Sequence, residues 1–178
     1  MALKDITQDL HKEAEQTWMA KQLMSGSIDP VLYFKYLHNI YFIHRSIERC
    51  CEDQNLLKGI ENISNSERIF NDITELSMLY GVNYDKLLPV TVEYVSYLGT
   101  LKEEVLAHLY VRHFGDMYGG QMIKKKIPGS GTMYDFKAKK TTIDKTRKKL
   151  SDDLGPEARK AFQYAIDIMK GLESEYNL

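Results

Sequence analysis

Hydrophobic positions recur every three or four residues through most of the chain, which predicts helices rather than strands. Leu3, Ile6, Leu10, Ala14 and Trp18 form one apolar stripe, so a first amphipathic helix is predicted over 3–24, ended by Ser25-Gly26-Ser27. Asp29-Pro30 reads as the cap and first turn of a second helix over 30–51, with Phe34, Leu37, Tyr41 and Ile47 inward. A polar stretch through Asn62 is a loop. Ser64 or Ser66 then caps a third helix that Gly81 stops. A short helix over 84–88, a longer one over 89–98 and a long one over 101–127 follow, with Gly99-Thr100 between the last two. Pro128-Gly129-Ser130-Gly131 is a clear break, and two last helices are predicted over 134–150 and 156–176. No repeat, low-complexity tract or linker divides the chain, so the expected architecture is a single all-α domain over 1–178.

Composition sharpens this reading in three ways. At 178 residues and 43% hydrophobic, the usual globular value, the chain can bury a substantial core, and a folded rather than disordered chain is expected. No apolar run approaches the roughly 18–20 residues of a membrane span, and no signal-like segment precedes Asp5. A soluble, cytoplasmic protein without a membrane anchor is expected. Cys50 and Cys51 are adjacent, a poor disulfide pair, and are expected to be reduced on a helix.

Net charge is only −1 but unevenly spread. Between 124 and 149 there are ten Lys and Arg against two acids, +8, which leaves −9 on the rest. Such a run is ordinarily a solvated face. It also suits a rim for ligand carboxylates or an acidic protein partner. Nucleic acid is not expected, because aromatics are sparse there and no binding motif is present.

The candidate chemistry centres on Gly115-Asp116-Met117-Tyr118-Gly119-Gly120, inside the long predicted helix. Glycine within a helix costs roughly 0.8–1 kcal/mol relative to alanine, so three of them need a reason. Gly115 and Gly119 share one face, where a missing Cβ lets a flat body approach the backbone and lets the helix bend. Asp116 adds a carboxylate beside that face. Taken alone, a close helix–helix crossing on small residues explains the spacing at least as well. His11 and Glu15, four apart on the first helix, suit a metal-bound imidazole with its carboxylate acceptor. By itself that pattern fits a surface pair better. His38 and His44 read as structural residues of the second helix, and His108 and His113 have no carboxylate at metal-ligand spacing. A helical di-iron site would need Glu-x-x-His repeats, which are absent.

The segment from Tyr110 to Gln121 resembles the distal-helix signature of the haem oxygenases, Tyr-x-Arg-x-x-Gly-Asp-x-x-Gly-Gly-Gln, through Tyr110, Arg112, Gly115, Asp116, Gly119, Gly120 and Gln121, with Lys124 following. His11-x-x-Ala14-Glu15 resembles the family's proximal helix. The resemblance implies haem b, as cofactor and substrate, held between the first and distal helices, with O2 as co-substrate and biliverdin, CO and ferrous iron as products. It makes His11 the iron ligand and Glu15 its acceptor, and it places Ala14, Tyr110, Gly115, Gly119, Gly120 and Phe162 against the haem. Lys4 and Arg147, with Lys145 as the substitute, would hold the propionates. Tyr41, Arg112 and Asp116 would form the distal hydrogen-bond network, with Asp116 anchoring a water. The implied electron donor is an acidic protein such as a ferredoxin. The chain departs from the family's habit at Ala165, often Asn, at Tyr118, often Ser, and at His113, often Tyr. Two other readings of the same fold are a non-enzymatic haem carrier, which would not need Asp116, and a thiaminase-like enzyme. The latter would need a catalytic cysteine in the pocket, and Cys50 and Cys51 lie far from both motifs.

Overall fold

Leu3–Ile6 (α1), Gln8–Gln16 (α2) and Trp18–Ser25 (α3) occupy the stretch predicted as one helix, in a computed structural model that describes residues 2–83, 86–137 and 139–177. The apolar stripe is continuous, but two threonines interrupt the backbone. Thr7 leaves the helical region at φ −110° and ψ 2°, its hydroxyl donating to the Leu3 carbonyl at 2.8 Å. Thr17 is extended at ψ 148°; its hydroxyl donates to the Ala14 carbonyl and accepts from the Ala20 N–H, so it caps α3. Local side-chain bonds of this kind compete with the helical ladder, which periodicity alone does not reveal. Gly26, at φ 76°, closes α3 as a left-handed cap.

Pro30–Asp53 (α4) is the central element. Asp29 Oδ1 accepts from the N–H groups of Val31 and Leu32, the predicted cap. Ile40, Ile43 and Ile47 on α4 are fully buried, and α4 packs against Ser66–Tyr80 (α5), Pro89–Leu98 (α6), Val105–Leu109 (α7) and Gly155–Tyr176 (α10). The start of α5 departs from expectation. Neither serine caps it locally; the buried Glu48 carboxylate of α4 accepts from the Asn65 and Ser66 N–H groups and from the Ser66 hydroxyl.

The long distal element is helical from α7 through Tyr110–Phe114 to Gly115–Lys124 (α8), but Tyr110–Phe114 is wound as a π-helix. The irregularity expected at the glycines therefore lies in the turn just before Gly115. Such widened turns recur at functional sites. Lys140–Lys148 (α9) is shorter than predicted, preceded by a single 3-10 turn at Thr132–Tyr134. Of the short helix predicted over 84–88, the first two positions fall outside the described residues, and 86–88 are not helical. There is no strand among the described residues, and no helix is long and apolar enough to cross a membrane. Both cysteines are free, as expected. The methionines are not uniformly core: Met19 and Met133 are buried, whereas Met78 and Met122 are exposed.

Candidate functional site

Lys4, Gln8, His11 and Glu15 share one face of the α1–α2 stretch because three- and four-residue steps bring side chains round to the same side. That face borders a cleft of about 900 Å³, which is large enough to take an extended cofactor. Across it stand Tyr110, Phe114, Gly115, Tyr118 and Gly119 of the distal element, and Arg147 of α9, Asp152 and Phe162 of α10 also line it. His11 Nδ1 lies 3.5 Å from Glu15 Oε1, and the His11 ring meets the Phe162 ring edge-on at 5.8 Å. Directing Nδ1 to a carboxylate leaves Nε2 as the ligand nitrogen.

The glycines divide in function. A Cβ built on Gly115 or Gly119 would meet nothing within 4 Å, so both present bare backbone to open space. Gly120 does not. A Cβ there would sit 2.0 Å from Tyr134 Cδ1, so Gly120 lets the helix approach Tyr134 and does not border the cleft. Ala14 is likewise absent from the lining; its carbonyl is engaged by Thr17.

At the rim, Arg147 faces the cleft and Lys145 does not. Two residues on a helix are about 200° apart, and Lys145 lies on the side whose charge acts on Glu61. Arg147 donates to the Tyr118 hydroxyl at 3.1 Å and lies over the Phe114 ring. Tyr118, where a small residue was expected from the resemblance, therefore forms part of the wall. Within the +8 segment, Lys124 pairs with Asp135, and Lys126 donates to the Met24 carbonyl at 2.7 Å.

Asp116 lies behind the bare glycine face, its side chain 14% exposed. The expected companion Tyr41 is elsewhere. Its ring packs on Phe42 and Phe70 and borders a separate hollow of about 370 Å³. His44, three positions on and about 60° round α4, meets Asp116 instead, with Tyr36 nearby. His44 Nε2 lies 2.8 Å from Asp116 Oδ2, and His44 Nδ1 lies 2.9 Å from the Ile40 carbonyl oxygen. Burial would raise the Asp116 carboxyl, but the His44 hydrogen bond and the nearby Arg112 charge outweigh it and hold it below the usual carboxylate range. Arg112 sits beside Tyr36 and Tyr94, and its Nε is buried with no hydrogen-bond partner among the described residues.

The histidines that lacked carboxylates in sequence find them through space. His113 Nε2 is 2.9 Å from Glu48, and His108 Nε2 is 3.0 Å from Glu157, with the Tyr94 hydroxyl 2.6 Å from His108 Nδ1. Burial pushes both imidazoles down, toward the neutral form. No group of three or more potential metal ligands is clustered among the described residues, and His11 is the imidazole that lines the cleft. His44, Glu48 and Tyr36 were missed as site residues. The signal available was a histidine and a glutamate inside the apolar stripe of α4.

Comparison with known proteins bears on the family and the fold. The sequence model described as heme oxygenase matches residues 1–170. A heme oxygenase of Guillardia theta is 28% identical, the match covering 98% of this chain and 86% of that protein. One of Rhodella violacea is 29% identical over 77% of this chain and 66% of its own length. Among solved structures, heme oxygenase-2 from Synechocystis, determined with heme and NO, superposes with a TM-score of 0.81 at 25% identity, covering 97% of this chain and 84% of that one. Heme oxygenase-1 from the same cyanobacterium, determined with heme, gives 0.82 at 23% identity over 97% and 91%. With the family model spanning nearly the whole length and the all-α fold shared, this chain belongs to the haem oxygenase family and is an enzyme of that family.

Proposed function

We propose that the protein binds haem b in the cleft between α2 and α8 and opens it to biliverdin, CO and ferrous iron, using O2 and electrons from an acidic protein such as a ferredoxin. The observation that carries this reading is the opposition of His11 to the bare backbone of Gly115 and Gly119 across one cleft. The residues fit the group: an imidazole with its second nitrogen directed to a carboxylate, a flat strip without Cβ atoms opposite it, and cations at the rim. When bound, haem supplies both the iron that activates O2 and the carbon that is oxidised.

The chain's own residues supply position and charge. His11 Nε2 ligates, and Glu15 fixes the ring's orientation through Nδ1. A neutral imidazole would lack the strong electron push toward O–O cleavage that a thiolate ligand supplies. Gly115 and Gly119 let the distal backbone lie close enough to exclude bulk water from one face. Lys4 and Arg147 hold the propionates, Arg147 with the planar fork that matches a carboxylate. Asp116 holds a water on the distal side. The basic residues from Lys124 to Lys149 favour an acidic donor.

A single-turnover experiment tests this. Haemin with a reductant and O2 is expected to lose its Soret band and yield biliverdin absorption. His11→Ala should retain part of its haemin binding yet give no biliverdin, with partial recovery on adding imidazole. An unchanged spectrum and rate in His11→Ala would reject His11 as the ligand.

A further inference from the structure

The buried histidines differ in what surrounds their two ring nitrogens. His108 meets one carboxylate and one hydroxyl, and a neutral ring satisfies both: Nε2–H donates to Glu157, and Nδ1 accepts from Tyr94. His113 donates Nε2–H to Glu48 and has no partner at Nδ1 among the described residues, so it too can be neutral. His44 lies between two acceptors. The Ile40 carbonyl at 2.9 Å can only accept, so Nδ1 carries a proton. Asp116 Oδ2 at 2.8 Å also only accepts when ionised. The second contact therefore needs one more proton, either on His44 Nε2 or on Asp116.

We infer that His44 and Asp116 act as a proton-sharing pair that keeps a transferable proton on the distal side of the cleft, with His44 as a positioning residue for the reaction. This rests on the haem-opening reading given above. The surroundings favour the pair. On α4, Tyr33 and Tyr36 are phenols that burial keeps neutral, as is Tyr134 of the 3-10 turn. Asp72 on α5 accepts from Thr132 and from the Met133 N–H, and is not directed at the pair. The neutral His113 ring lies 4.6 Å from that of His44, so only one of the two need be charged. Of the fixed charges nearby, Arg112 acts on Asp116, while Arg68 of α5 acts on Glu48, whose carboxylate His113, Ser66 and Asn65 also bond; a proton on His44 puts a hydrogen-bonded positive charge directly beside Asp116. Haem opening reduces O2 partly to water and so consumes protons. A proton released by the pair to a water leaves neutral His44 beside ionised Asp116, and solvent restores it.

The test uses apoprotein with ¹⁵N-labelled histidine, where ring-nitrogen shifts report protonation at each atom, together with ¹³C shifts of the Asp116 carboxyl. At pH 7 the expected result is one buried ring, assigned to His44 by its loss in His44→Gln, protonated at both nitrogens beside an ionised Asp116 carboxyl. In Asp116→Asn, whose amide can donate, that ring should become neutral with the proton on Nδ1. A His44 ring carrying one proton beside an ionised Asp116 would overturn the inference. In the haem-loaded protein, His44→Gln still donates an N–H to Asp116 but brings no proton. Biliverdin formation should fall by ~10²-fold, the low end for lost acid–base assistance, with haemin affinity unchanged and the alkaline limb of the pH profile moved. An unchanged profile would also count against the pair. Failure of the wild type to form biliverdin would reject the proposed reaction while leaving the NMR result to decide the pair by itself.

Discussion

Replacing Gly115 and Gly119 together by alanine should make the apoprotein more stable and the haem complex weaker. Gly115 has helical backbone angles, φ −56° and ψ −48°, and Gly119 lies within α8. Neither added methyl meets an atom within 4 Å. Nothing in the protein then offsets the helix propensity gained, roughly 1 kcal/mol at each site and ~2 kcal/mol for both. For a chain of this length, that raises Tm by roughly 4–8 °C. The same methyls enter the cleft opposite His11. A rigid, flat ligand must shift or strain, at a cost of ~1–3 kcal/mol, which corresponds to a loss of roughly 5–150-fold in affinity. Urea unfolding of the apoprotein measures the first quantity, and haemin titration followed by absorbance measures the second. A double variant that is no more stable would mean the glycines are strained or packed in a way the structure does not contain. One that gains stability but binds haemin as tightly as wild type would show that this backbone strip does not face the ligand.

Gly120→Ala should behave in the opposite sense. Its methyl overlaps Tyr134, so stability falls by ~1–3 kcal/mol in the same urea assay; an unchanged midpoint would refute the packing role. Glu48 sets an acid limit. Burial would raise its carboxyl, but bonds from His113, Ser66 and Asn65 lower it from 4.5 to about 2. Because the folded value is depressed, ~3 kcal/mol of stability is present above about pH 4.5 and lost as pH falls toward about 2. The stability gap between wild type and Glu48→Gln should therefore shrink across that window, and a gap constant with pH would reject the assignment. With an acidic donor protein in limiting supply, turnover should decline as salt rises past ~0.1 M, where the Debye length is about 10 Å. A rate flat in salt would remove electrostatic docking.

The local pattern carried most of the architecture. Caps at Asp29 and Gly26, the stop at Gly81 and the apolar stripes all depend on neighbours within a few residues, so they were legible in the sequence. So was the pairing of His11 with Glu15, one turn apart within α2, and so were the bare positions at Gly115 and Gly119; that Lys4 stays on the His11 side across the break at Thr7 is seen only in the structure. The resemblance carried by the Tyr110–Gln121 segment named the family. What the tertiary structure decided was rotation and partnership. A stripe shows that one side of α4 is buried without showing which flank meets Asp116, and only about 60° of rotation separates Tyr41 from His44. His44 finds Asp116 72 positions away, and Glu48 caps a helix it does not belong to. Gly120 differs from Gly119 only because Tyr134 lies against it. Contacts of this kind come from packing elements distant in sequence, where desolvation demands a partner for each buried polar group and the fold alone determines which one is in reach.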